Sequence, residues 1–178
     1  MIHHLTALIT EANGTPDIKT KFINRLQEGS LARSENPTSH LCVYFAAFDP
    51  ADGSVFIGHH KKSGLWLFNG GHMDPGETPL NTVIREASEE WGLVVHPGAI
   101  AQQKLITLTR IEHPEQIICE WHYDVWHFLP FDRKLFHPKD RNLRTEFYSY
   151  GWKSFDEAAN LLTSQPTVEA LTYLRNLR

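Results

Sequence analysis

The stretch from Gly70 to Leu93 restricts this chain more than any other. It opens Gly-Gly-His-Met-Asp-Pro-Gly-Glu-Thr-Pro, then runs without glycine or proline as far as Trp91 and Gly92. Glycines and a proline so closely spaced exclude regular structure, so the first part is a loop. Thr78 followed by Pro79 marks a helix start, Glu77 places negative charge near the positive end of the dipole, and Gly92 is positioned to stop the helix. At about 100° per residue, Leu80, Val83, Ile84, Ala87 and Trp91 form a core-facing stripe, and Glu86, Glu89 and Glu90 gather to one side of it. Like charges at these spacings cost about 0.2–0.5 kcal/mol per pair, which brings nothing to a helix that only has to be stable. A hard divalent cation among the oxygens, Mg²⁺ or Mn²⁺, gives the arrangement a purpose. Arg85 can pair with Glu89 or reach back to Glu77. Taken alone, the carboxylates read equally well as a solvated helix face.

The charge balance has the same address. Seventeen Lys and Arg against twenty-one Asp and Glu leave a formal charge of -4. Asp74, Glu77, Glu86, Glu89 and Glu90 against Arg85 account for that whole excess, leaving sixteen residues of each sign elsewhere. Such a balance argues against general nucleic-acid binding, which needs a basic surface to displace counterions. It leaves room for a small phosphorylated ligand held through a metal.

The rest of the chain reads as one α/β domain over residues 1–178. Residues 3–12 and 17–28 carry helix spacing and form an N-terminal helical arm within residues 1–35. Strands are expected at Leu41–Phe48, Ser54–His59, Lys104–Arg110, Ile117–Leu129 and Tyr148–Trp152, with Asp49–Gly53 and His113-Pro114 at turns. Ser154 and Glu157 have capping-box spacing, and a last helix from Thr167 to Leu177 presents Val168, Leu171, Leu174 and Leu177 near one face. Cys42 and Cys119 sit in apolar runs and read as buried free thiols. No membrane span and no signal peptide are visible, so a reducing cytoplasm is the expected compartment. Trp121, Tyr123 and Trp126 alternate with His122 and His127, and one face of that strand is a candidate pocket lining.

The motif itself resembles a known family. Gly71, then Glu77, then Arg85-Glu86-Ala87-Ser88-Glu89-Glu90-Trp91-Gly92-Leu93 is similar to the Nudix box of residues 71–93, Gly-x5-Glu-x7-Arg-Glu-U-x-Glu-Glu-x-Gly-U, with every fixed position filled. Leu65–Phe68 before the box and Trp152–Ala158 after it extend the resemblance from about Leu41 to Leu162. Asn69, where the family often has proline, and Asp74, where it often has glutamate, are departures. Neither removes an expected metal ligand.

The resemblance implies a Nudix fold, an α/β/α sandwich around a mixed sheet, and hydrolysis of a diphosphate linkage in a nucleoside diphosphate joined to another group. It implies Glu86 and Glu90 as principal Mg²⁺ ligands (Mn²⁺ being an alternative ion), Glu89 sharing a second ion or orienting water, and a backbone carbonyl of Gly70 or Gly71 beside them. Arg85 completes the catalytic set. Glu146 is the candidate for the acid that many members recruit from a later loop, with Glu120 a weaker one. His72 on the loop is a candidate for phosphate contact, and Trp66 for stacking on a base, although Trp66 and Phe68 read first as core. Lys61 and Lys62, next to His59 and His60, either steer an anionic substrate or end a hairpin. Two other classes share the fold. A ligand sensor has no need of all three carboxylates. A prenyl-diphosphate isomerase needs a placed cysteine and an altered box, whereas this box is regular and neither Cys42 nor Cys119 falls near it. The N-terminal helices cap the site, form a homodimer contact, or extend the core.

Overall fold

The near-continuous apolar run around Leu41–Phe48 is satisfied only at the centre of a sheet covered on both faces. In the computed structural model, which describes residues 2–102, 104–111 and 119–177, that is where it lies. In chain order the elements are α1 (Ile2–Glu11), α2 (Pro16–Glu28), β1 (Ser39–Asp49), β2 (Ser54–His60), β3 (Trp66–Leu67), β4 (Asn69–His72) and α3 (Pro79–Glu86). They continue with β5 (Lys104–Arg110), β6 (Trp121–Pro130), α4 (Asp140–Glu146), β7 (Phe147–Ser154), α5 (Phe155–Leu161) and α6 (Gln165–Asn176). Strand β1 runs parallel to β6 from Ser39↔Trp121 to Phe48↔Pro130. On its other side it takes β4 at Cys42–Phe45 and β2 at Phe48–Asp49, both antiparallel. The sheet is therefore mixed, ordered β3-β2-β1-β6-β5, with β7 added to β2.

Because side chains alternate along β1, its two faces enter different cores. Leu41, Val43 and Phe45 pack with Val83, Ala87 and Trp91 of the box segment and with Leu5, Ile9, Phe22 and Leu26 of the first two helices. Ala46, Ile57, Trp126 and Phe128 pack with Phe155, Ala158, Leu171 and Leu174. Helices thus cover both faces, the expected α/β/α sandwich. The N-terminal arm extends the core: Phe22 is fully buried and meets Tyr123 edge-on at 5.1 Å. Arg25, 2% exposed, ties the end of α2 to the carbonyls of Gly29, Ser30 and Ser39.

Some expectations hold and others shift. The Ser154–Glu157 capping box forms in full. On α6 the buried stripe is Thr167, Ala170, Leu171 and Leu174, whereas Val168 is 41% exposed. That stripe follows i, i+3, i+4, i+7, and Val168 falls outside its arc. Trp121, Tyr123 and Trp126 do not share a face: Tyr123 packs on Phe22, while Trp126 stacks on Tyr44 on the other side at 4.4 Å. Alternation separates odd from even positions, so no single strand face collects all three. Residues 117–118 and the His113-Pro114 turn lie outside the described residues, and Glu120 is exposed just before β6. Both cysteines are buried and free. Among the described residues no helix is long and apolar enough to cross a membrane.

If the N-terminal helices belong to the core, Phe22→Ala should cost about 3–5 kcal/mol, as for other buried phenylalanines. Urea unfolding of the two proteins measures this. A change within about 0.5 kcal/mol, the level of a surface substitution, would show an arm that is merely appended.

Candidate active site

Strand β4 ends at His72, a loop follows, and Thr78 caps α3 through its hydroxyl, which accepts from the Asn81 amide at 3.2 Å. The helix does not continue as a regular α-helix. From Ala87 to Trp91 it widens into a π turn, closed by Gly92 in the left-handed region at φ 62°. Single π turns of this kind recur at functional sites. The wider turn separates the carboxylates that a straight projection groups together. Glu90 turns inward and is 9% exposed, Glu86 is largely buried, and the Glu89 side chain remains 58% exposed.

Arg85 organises this end of the molecule. Its Nε reaches Glu77 Oε1 at 2.9 Å, its Nη2 reaches Glu77 Oε2 and the His72 carbonyl, both at 3.0 Å, and its Nη1 reaches Glu86 Oε1 at 2.9 Å and Glu89 Oε2 at 3.4 Å. Both pairings expected for this arginine form at once. The guanidinium hydrogen bonds hold the Glu77 carboxyl down to about 2, helped by the Asp74 amide and the Thr82 hydroxyl. Gly71 faces Glu86 so closely that a Cβ there would fall inside the carboxylate. This is the physical reason for glycine at the first box position.

Burial pushes Glu90 up to about 8, with Glu86 and Glu146 adding like charge, while hydrogen bonds from the Asn69 side chain and the Gly70 amide pull the other way. Burial likewise raises Glu86, against the pull of Arg85. Two carboxyls this deeply placed are costly to ionise unless a cation joins them. Among the described residues, Asn69 Oδ1 and Asn142 Oδ1 are buried without a hydrogen-bond partner beside the same segment. The donor set, carboxylate and carbonyl oxygens, fits Mg²⁺ or Mn²⁺.

Glu146 ends α4, a short helix where a loop was expected. This helix packs on the π turn through Lys139 N to the Trp91 carbonyl at 2.7 Å and Asn142 Nδ2 to the Glu89 carbonyl at 2.7 Å. The Glu146 carboxylate lies 3.4 Å from Lys62 Nζ and 3.6 Å from His60 Nε2. Trp66 is half-buried at the sheet edge, stacked on His59 at 5.6 Å with Lys153 over its ring. Phe68 is core. The ring of His72 projects from the opposite side of β4 to Gly71, because neighbouring strand residues alternate. There it meets His40 and His122 at 4.9 and 5.1 Å between ring centroids. Cys42 is its cross-strand partner, so a cysteine distant from the box in sequence stands directly beside it. Two contributors escaped the sequence reading. Asn69 was visible only as a departure from proline, yet its amide holds Glu90. Asn142 carried no signal, because its role depends on where α4 docks.

Comparison with known proteins agrees with this geometry. The sequence matches the NUDIX domain family over residues 38–173. The chain belongs to the Nudix family. An RNA pyrophosphohydrolase of Xanthomonas campestris is 28% identical over 113 residues, covering 58% of this chain and 54% of that protein. The chain thus spans about half the length of the curated relatives it matches. Among solved structures, the E. coli dihydroneopterin triphosphate pyrophosphohydrolase superposes with TM-score 0.61 at 16% identity, over 78% of this chain and 96% of that one. A NUDIX hydrolase from Nitrosomonas europaea gives 0.56 at 18% identity, over 78% and 90%. At these identities the two structures establish the Nudix fold.

The Glu77 carboxyl gives a pH prediction. Its folded value near 2 lies below the ordinary 4.5, so its stabilisation is complete above 4.5 and lost as pH falls toward 2. Denaturant midpoints taken across that window should fall less steeply in Glu77→Gln than in the parent protein. Parallel curves would remove the Arg85–Glu77 pair from the acid sensitivity.

Proposed function

We propose that this chain hydrolyses a diphosphate linkage in a small nucleoside diphosphate derivative, using Mg²⁺ held by Glu86, Glu89 and Glu90 and the backbone of Gly70. The observation that carries the reading is the burial of Glu86 and Glu90 beside an arginine already committed to Glu77. When bound, the ion supplies charge neutralisation at the phosphoryl oxygens and a lowered pKa for the attacking water. The protein's own residues do the rest. Asn69 and the Gly70 amide orient Glu90. Arg85 fixes the loop to the helix, so Glu86 is held in place before substrate arrives. Glu146, close enough to act on Glu90, is the extra acid, and a carboxylate of this set accepts the proton of the water.

Lys61 and Lys62 form a basic edge beside Glu146 that favours an anionic substrate. The backbone of the loop after His72 is proposed to meet the rest of that substrate, whereas the His72 ring and Trp66, both candidates on sequence, lie on the sheet face away from Glu86 and Glu90. A net charge of -4 favours a free nucleotide derivative over a long nucleic acid. The related RNA pyrophosphohydrolase makes a triphosphate-ended oligonucleotide a necessary competitor in the assay.

The test is a panel with Mg²⁺: dinucleoside polyphosphates, nucleotide sugars, ADP-ribose, coenzyme A, nucleoside triphosphates and a 5′-triphosphate RNA. At least one small substrate should release a mononucleotide or phosphate. Glu90→Gln should lower kcat by about 100-fold or more, since loss of an outer partner alone costs 10–100-fold. Asn69→Ala should raise the Mg²⁺ needed for half-maximal rate by about 10–100-fold. No turnover across the panel favours a ligand-binding sensor, and unchanged turnover in Glu90→Gln overturns the metal assignment.

A further inference from the structure

The sheet face turned away from Glu86 and Glu90 carries a second constellation. His40 and Cys42 are two residues apart on β1 and so share a face. Parallel pairing places His122 of β6 opposite His40, and antiparallel pairing places His72 of β4 opposite Cys42. Three strands therefore deliver three imidazoles and one thiol to one spot, with a ligand atom from each within 4.8 Å of all the others. His40 and Cys42 are buried, while His72 and His122 are half-buried.

We propose that His40, Cys42, His72 and His122 form a second metal site, separate from the carboxylates, that takes a borderline-soft divalent ion, Zn²⁺ in particular. The donor chemistry selects the ion: imidazole and thiolate suit zinc and its transition-metal neighbours, whereas Mg²⁺ wants oxygen. Four protein donors close a tetrahedral shell, which is the pattern of a structural site. With bonds of about 2.0–2.3 Å, tetrahedral donors lie about 3.3–3.8 Å apart, so rotation within the side chains closes the set. His40 is already oriented for the task. Its Nδ1 donates to the Asn36 carbonyl at 2.9 Å, which leaves Nε2 as the acceptor nitrogen, now facing the Cys119 thiol at 3.7 Å, a contact that a metal would replace. The Nδ1 contact is the outer hydrogen bond typical of a metal-binding histidine. Arg25 in turn fixes the neighbouring Ser39 carbonyl.

A metal here would cross-link β1, β4 and β6. It would also fix His72, whose carbonyl receives Arg85 from the carboxylate side. The site is thus a staple behind the catalytic loop, and its occupancy does not depend on the proposed hydrolysis.

Cobalt tests this directly. Full-length protein stripped with a chelator and then given Co²⁺ in excess Mg²⁺ should bind one ion per chain. The absorption should show tetrahedral bands and a near-ultraviolet thiolate-to-cobalt band, both abolished by Zn²⁺, and Zn²⁺ should raise Tm. Cys42→Ser should remove the thiolate band, and His122→Gln should weaken binding by about 100-fold or more. Glu86→Gln and Glu90→Gln should leave the spectrum unchanged, which separates this site from the carboxylates. Cys119 Sγ lies 3.7 Å from His40 Nε2, so Cys119→Ser is the control that should keep the band. Far-UV circular dichroism establishes that each variant is folded. The proposal is overturned by a thiolate band that survives Cys42→Ser, by Co²⁺ affinity unmoved in His122→Gln, or by a spectrum lost in Glu90→Gln.

Discussion

The guanidinium of Arg85 joins three pieces of chain: the end of β4, the loop at Glu77 and the helix that follows it. It clamps Glu77 in two places, takes the carbonyl of His72, and reaches Glu86 one residue on and Glu89 one turn on. The loop between β4 and α3 contains Pro75 and Gly76 and has little regular hydrogen bonding of its own. Arg85 fixes this loop together with the Asp74 amide and the Thr82 hydroxyl on Glu77, and its fork-like donors hold direction as well as charge. A lysine, offering one point charge, could not hold three carboxylates and a carbonyl in fixed relation.

Around that clamp, burial and charge oppose each other. Glu86 and Glu90 are drawn beneath the surface by the packing of Val83, Ala87 and Trp91, which are fully buried in the first core. Ionised carboxyls resist this, and both are pushed toward their neutral forms. Gly71 allows Glu86 to lie against the backbone, Asn69 partners Glu90, and the π turn supplies the rotation that brings Glu90 inward. Each feature costs something in a helix built only for stability. Together they form an oxygen-lined recess whose unfavourable electrostatics a divalent cation would reverse.

Strand β4 gives the two halves of the molecule their relation. Asn69 and Gly71 face the carboxylates, while Gly70 and His72 face Tyr44 and the histidine–thiol cluster. Four residues thus serve two sites of different donor chemistry, hard oxygen on one side and nitrogen with sulfur on the other. A period of two along a strand makes this separation automatic.

Much of this was legible in the chain itself. The Gly71–Leu93 pattern identifies the loop, the helix, its apolar stripe and its carboxylates, because those depend on residues within a few turns of one another. The apolar run at Leu41–Phe48 requires a covered central strand for the same local reason. What the sequence could not carry depends on register and docking. Cys42, His40 and His122 converge on His72 only because β1 lies between β4 and β6 in a particular alignment. A one-residue slip would send each of those side chains to the other face. Glu146 comes near Glu90 only because α4 seats its Asn142 on the widened turn. The sequence alone determined which residue types were available and how they are spaced along each element. Tertiary structure alone decided which of them meet, because pairing across strands and packing between helices bring together residues that no local spacing relates.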